Sequence, residues 1–249
     1  MARMKFMNTE IDNLTMQETL QAIDQLIQEN KSAYVVTPNV DHIVQLETNE
    51  ELKTVYKNAS LILKDGKPLL WIANWYGTPI KEKISGSDLF PLLCKMAAEK
   101  SYKMFFLGAA EGVAAKAAEN LMNRFKGLQV VGTYSPPFGF EKDSVEMDKI
   151  KSMIKTSEAD ILIVGLGCPK QEKFMYNHCQ ELGVPISFGL GASFDFEAGN
   201  IKRAPRWMAN HGLEWLFRIT QDPKRMARRY LVDDRKILGL AIKYRKVSR

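Results

Sequence analysis

A chain of 249 residues with 45% hydrophobic and 26% charged side chains has the material for one sizeable core and lies outside the compositions of disordered chains. Its charge is segregated: residues 201–249 carry 14 Lys and Arg against 4 Asp and Glu, whereas residues 1–200 carry 21 against 25, so a basic end aimed at an anionic partner follows a mildly acidic body. Three unpaired-looking cysteines (Cys94, Cys168, Cys179) exclude a disulfide framework and a zinc spacing, and no run of about 18 apolar residues offers a membrane span.

Residues 5–7 read as a short strand. Thr15 and Glu18 form a capping-box pattern ahead of Leu20, Ile23 and Ile27 at helical spacing. Residues 33–36 (AYVV) are a buried type of strand, and the polar run Thr37-Pro38-Asn39-Val40-Asp41-His42 turns from it into helix. Residues 49–58 read as helix. The apolar triplet Leu61-Ile62-Leu63 is a strand that ends in Lys64-Asp65-Gly66-Lys67-Pro68, and a proline in the first turn opens a helix over 68–75. Lys83-Ile84-Ser85-Gly86-Ser87-Asp88 supplies capping hydroxyls for a helix over 89–100.

Strands over 103–107, 128–132, 161–164 and 185–188 alternate with helices ending near 125 and covering 143–156 and 171–181. Regular alternation with short connections predicts an α/β fold, a Rossmann-like, mostly parallel sheet with helices on both faces. Ligands in such sheets bind beyond the carboxyl ends of the strands. The loops at 37–42, 65–68, 108–112, 165–172 and 189–195 all leave strand carboxyl ends and mix glycines with hydroxyls, amides and carboxylates. From residue 201 onward Trp207, Trp215, Leu216, Ile237 and Leu240 are interleaved with arginines and lysines. This reads as two or three basic amphipathic helices suited to an anionic membrane surface. The division expected is therefore an α/β catalytic core over 1–200 and a basic appendage over 201–249. With no leader-like apolar stretch at the N-terminus, the expected location is cytoplasmic, at the inner face of the membrane.

Taken singly, the motifs are weak. Asp65-Gly66 is a common turn pair. Neither glycine loop is G-x-G-x-x-G, and no Walker A sequence is present. His42, His178 and His211 are scattered and read as structural, and Asp195 with Glu197 reads as a helix cap rather than a ligand pair. Taken in order they are specific. Thr37-Pro38-Asn39, Asp65-Gly66 and Ser85-Gly86-Ser87-Asp88 are followed by Gly165-Leu166-Gly167-Cys168-Pro169-Lys170-Gln171-Glu172. Gly189-Leu190-Gly191, Arg203-Ala204-Pro205 and Glu214-Trp215-Leu216-Phe217-Arg218 complete the series. This series resembles the WecG/TagA/CpsF family of bacterial glycosyltransferases over residues from about 10 to about 230.

The resemblance implies a GT-E type fold and an inverting, metal-independent hexosyltransferase without a cofactor. The implied donor is a UDP-sugar, of the N-acetylmannosamine type or related. The implied acceptor is a polyprenyl-diphosphate-linked sugar, in teichoic acid, capsule or exopolysaccharide synthesis. It also implies oligomers of this chain, an anionic membrane surface as partner, and no nucleic acid. By position in the motifs, Asp65 matches the catalytic base, Thr37, Asn39 and Gln171 match polar groups of the pocket, and Arg218, Arg225 and Arg228 match tail arginines that grip diphosphate. Lys83 stands where the family often has arginine, keeping the charge without the bidentate geometry. Two loops depart from the teichoic acid enzymes: Thr-Pro-Asn-Val-Asp-His stands where they look closer to Thr-Ala-Asn-Pro-Glu, and Lys-Asp-Gly-Lys-Pro where Ala-Asp-Gly is usual. Both flank the pocket, so the donor sugar stays open among N-acetylmannosamine, its uronic acid and glucose. The readings that compete are a Rossmann-type nucleotide-sugar epimerase or dehydrogenase, and a basic nucleic-acid-binding module.

Overall fold

The structure, a computed structural model, describes residues 3–205, 207–208, 211–228, 230 and 234–247, with the side chains of residues 225, 246 and 247 outside that description. A hairpin not foreseen in full opens the chain: β1 (Arg3–Phe6) pairs antiparallel with β2 (Thr9–Asp12). Its sequence is half polar, which hid the second strand. Asp12 ties it to the body, because its carboxylate accepts the backbone N–H of Ile62 at 2.8 Å.

The main sheet contains β3 (Ala33–Val36), β4 (Leu61–Ile62), β5 (Lys103–Gly108), β6 (Gln129–Tyr134), β7 (Ile161–Gly165) and β8 (Ile186–Gly189). All neighbours are parallel, in the order β4-β3-β8-β7-β5-β6. The inner strands are apolar at nearly every position because helices cover both faces. Alternation then splits each strand between two cores. Tyr34, Val36, Ile62, Phe105 and Leu162 face one, and Ala33, Val35, Leu61, Phe106 and Phe188 face the other.

The first core is covered by α2 (Val40–Leu46), α3 (Glu50–Asn58), α4 (Lys67–Tyr76), α7 (Ser144–Ser157) and α8 (Lys170–Leu182). The second lies under α1 (Met16–Glu29), α5 (Gly86–Lys100), α6 (Val113–Arg124) and α9 (Gly191–Ala198). The capping signals act as expected. Thr15 and Glu18 form a reciprocal capping box on α1, and the Ser85 hydroxyl accepts the N–H of Asp88 at the start of α5. Asp195 and Glu197 do not cap a helix; both lie inside α9, where buried Glu197 pairs with Arg124 at 2.9 Å and Arg203 at 3.2 Å.

The basic end forms α10 (Glu214–Gln221), α11 (Pro223–Arg228) and α12 (Ile237–Val247). The last of these docks on the body. Ile237 and Ala241 are buried in the first core, Tyr76 Oη donates to the carbonyl of Ala241 at 2.7 Å, and Tyr244 Oη donates to Glu47 at 2.9 Å. Lys243 also pairs with Glu47, and the Arg245 guanidinium lies 4.2 Å from the Trp75 ring centroid. No helix of the described residues is long and apolar enough to cross a membrane.

Candidate active site

Four strands that are consecutive neighbours in the sheet, β4-β3-β8-β7, end on one edge and bring four distant loops into a row. Thr37 and Asn39 follow β3, Asp65 follows β4, Gln171 begins α8 beyond β7, and residues 190–196 follow β8. The Asp65 N–H donates to the carbonyl of Pro38 at 2.8 Å, which holds the first two loops together. Gly66, at φ +98°, then turns the chain into α4 through a conformation that a side chain would strain.

These loops enclose a cavity of about 370 Å³, lined by Thr37, Asn39, Asp65, Gln171 and Arg218 together with backbone of the glycine-rich ends of β7 and β8. A second cavity of about 400 Å³ adjoins it. Pro68, Trp215, Tyr230, Ile237 and Leu238 give the second cavity apolar walls, and Lys67, Lys83, Arg218 and Arg235 give it cations. Asn39, Asp65 and Arg218 line both. Each volume is of the size that holds a small organic ligand.

Burial pushes the Asp65 carboxyl up to about pKa 6, against the opposing pull of Arg218 and Lys83. That places the proton equilibrium where a general base works near neutral pH. The neighbouring Lys64 is buried; its ammonium donates to the carbonyl of Glu82, and burial lowers its pKa to about 8. Lys83 sits 3.4 Å from Asp88, so its cation is shared between that carboxylate and the cavity mouth. Arg218 is held at 2.7 Å by Glu214, one turn earlier on α10, and its guanidinium lies 5.5 Å from the Phe196 ring centroid. The tail thus reaches the strand-end loops through Arg218.

Of the residues singled out in the sequence, Thr37, Asn39, Asp65, Lys83, Gln171 and Arg218 converge on the two cavities. Arg228 is exposed at the end of α11 and lines neither cavity. The Arg225 side chain lies outside the described residues. The second cavity has no signature in the sequence, since α10, α12 and the residues around them wall it only by folding back over the loop after β4. His42, read as structural, lines the first cavity, and the signal for it was its place three residues after Asn39 in the same loop. Arg203 of the R-A-P segment braces the site from outside. It bonds Asp88 at 3.2 Å and Glu197 at 3.2 Å, linking α5 to α9.

A parallel sheet with a carboxylate at its strand ends, flanked by cations, is an arrangement suited to moving a group between anionic substrates. The chain belongs to the Glycosyl transferase WecG/TagA/CpsF family, whose model matches residues 4–249. It is a glycosyltransferase. It is 34% identical over 202 residues to the N-acetylglucosaminyldiphosphoundecaprenol N-acetyl-beta-D-mannosaminyltransferase of Bacillus spizizenii, covering 81% of this chain and 76% of that one. The Bacillus subtilis protein of the same name is 30% identical over 206 residues, covering 83% and 77%. That of Staphylococcus aureus is 26% identical over 229 residues, covering 91% and 88%.

Proposed function

We propose that this enzyme moves an N-acetylmannosamine-type hexose from a UDP-sugar to a polyprenyl-diphosphate-linked N-acetylglucosamine at the inner face of the membrane, with inversion and without a metal. The observation that carries this reading is the position of Asp65 on the wall common to both cavities. The glycine-walled cavity suits the nucleotide sugar, because bare backbone lets a diphosphate approach closely. The apolar, cation-lined cavity suits the acceptor, whose diphosphate wants cations and whose polyprenyl chain wants apolar walls. The names of the bacterial relatives give the same acceptor chemistry.

In this reading an acceptor hydroxyl attacks the anomeric carbon of the donor. Its proton passes to Asp65 as the new C–O bond forms. The bond from the anomeric carbon to the β-phosphate oxygen breaks on the opposite face, and UDP leaves as an anion. Arg218, on the wall of both cavities, neutralises that developing charge, with Lys83 at the second. Support for a membrane partner comes from the surface beside the second cavity. Trp71 (55% exposed), Trp75 (45%), Trp215 (37%) and Leu238 (69%) stand out among the arginines and lysines of α4, α10 and α12. Such a mixture of aromatic and cationic side chains suits the headgroup layer.

Calorimetry with UDP and UDP-N-acetylmannosamine, with and without magnesium, joined to turnover on a short-chain acceptor analogue, tests the reading. Binding indifferent to magnesium is expected, with Asp65→Ala retaining it while turnover falls by about 10²–10⁴-fold. Full turnover by Asp65→Ala, or transfer only with a divalent cation, would overturn it.

A further inference from the structure

Beneath the floor of the first cavity lies a buried chain of polar groups that the transfer step does not use. Asn39 begins it, its side-chain oxygen accepting the backbone N–H of His42 at 3.4 Å. The same oxygen faces His42 Nδ1 at 2.8 Å. His42 Nε2 faces Glu172 Oε1 at 3.2 Å, and the Gln171 amide nitrogen donates to that same oxygen at 2.8 Å. His42, Gln171 and Glu172 are all buried. The chain thus links the loop after β3 to the start of α8, joining two carboxamides that both line the cavity.

Both ring nitrogens of His42 point at oxygen acceptors. A neutral imidazole can satisfy only one of them, whereas an imidazolium donates to both. The backbone N–H of Asn39 also approaches Nδ1, but at 3.4 Å against the 2.8 Å of the side-chain oxygen. The charged groups around the ring agree. Burial disfavours the cation, yet Cys168 from the loop before α8 and Glu172 from α8 outweigh it and hold His42 well above its ordinary range; burial pushes the Cys168 thiol up as well, so the anion that faces the ring is Glu172. Asp41 adjoins His42 on α2, and from α3 the Tyr56 ring lies 6.3 Å away.

The orientation of Gln171 follows. Its nitrogen is committed to Glu172, so its oxygen is the other end of the amide, and that oxygen is buried without a hydrogen-bond partner among the described residues. The amide lies in a slot that only glycines leave open. A Cβ on Gly189 would stand 2.8 Å from the nitrogen, and one on Gly191 would stand 2.9 Å from the oxygen. An unpartnered buried acceptor on a ligand cavity awaits a donor.

We propose that His42 and Glu172 form a buried positioning pair that fixes both carboxamides, so that Gln171 offers its carbonyl oxygen to a hydroxyl or N–H of the bound nucleotide sugar. The assignment of the ligand rests on the functional reading above; the pairing itself does not. Nitrogen-15 NMR of histidine-labelled protein, with His42 assigned by its loss in His42→Gln, tests the pairing. Both ring nitrogens protonated at neutral pH are expected, and a neutral ring with one bare nitrogen would overturn it.

Kinetics test the positioning. His42→Gln and Glu172→Gln should each lower the unfolding temperature, because each leaves its partner without a counter-charge. The double variant should recover that temperature, yet keep a donor KM raised about tenfold with kcat little changed, the size of one hydrogen bond to ligand. Recovery of KM together with stability would show a pair that serves the fold alone, and would sink the proposal. A wild-type enzyme that turns over no UDP-sugar would count against the functional reading, while the NMR result would still decide the pairing.

Discussion

Asp65 carries two opposed requirements. As the proposed base it must be ionised, and as a half-buried group it is held up to about pKa 6. Its ordinary value is 3.8. Between those values the folded chain binds more protons than the unfolded chain, so stability falls as pH rises through that window. The full penalty, on the order of 1–3 kcal/mol, is then present at neutral pH. Asp65→Asn should therefore be inactive yet melt higher than wild type at pH 7.5, and lose that advantage near pH 4. Turnover by the wild type should fall as pH drops through about 6. Arg218 lowers the Asp65 value, so in Arg218→Ala the acid limb of residual activity should move to higher pH. A limb that stayed in place would show that Arg218 acts on the leaving group without touching the base. The place of Asp65 at a strand end was legible in the sequence, because a polar loop after an apolar strand is set by the fold, whereas its role as base came only from the family resemblance. The His42–Glu172 pair was not legible, since 130 residues separate its members and only the adjacency of β3, β8 and β7 joins them.

The elements repeat this contrast. Strands and helices of the sheet were legible because their apolar patterns and caps are local: Thr15, Ser85 and the Asp65-Gly66 turn act where they stand. The packing between elements was not. Phe194 of α9 meets Phe90 of α5 at 5.6 Å and Phe106 of β5 at 5.3 Å between ring centroids, and its ring fills the space that a Cβ on Gly165 would need. No spacing in the sequence announces that triangle. Phe194→Ala should destabilise by about 3–5 kcal/mol in urea unfolding, since a fully buried ring leaves a cavity. It should also loosen the cavity wall formed by Gly191 and Ala192. At α12, Ala241→Asp would bury a carboxylate in the first core. Undocking of the helix should follow, read as faster amide exchange over 237–247 and as loss of turnover, while α6 and β5 stay protected.

Across the whole molecule the charge division becomes a spatial one. The acidic body and the basic end of residues 201–249 meet along α4, α10 and α12, beside exposed tryptophans. Binding to vesicles of anionic lipid should weaken as salt rises, because the cations are at the surface and screened. Trp71→Ala with Trp75→Ala should weaken binding at every salt concentration, by removing apolar contact. Binding that ignored both changes would exclude this face as the membrane side. Basic composition alone left membrane, nucleic acid and mere solubility open. The structure seats α12 on the body through Ile237 and Ala241, with Lys243 on Glu47 and Arg245 over Trp75, and the vesicle measurement is what separates the three.

The docking of α12 also ties the second cavity to the helix's hold on the body. Ile237 buries in the first core while its neighbour Leu238 walls the cavity, and Tyr76 and Glu47 of the body grip Ala241 and Tyr244. A change that loosens that grip unmakes the cavity wall while leaving Asp65 and the sheet untouched.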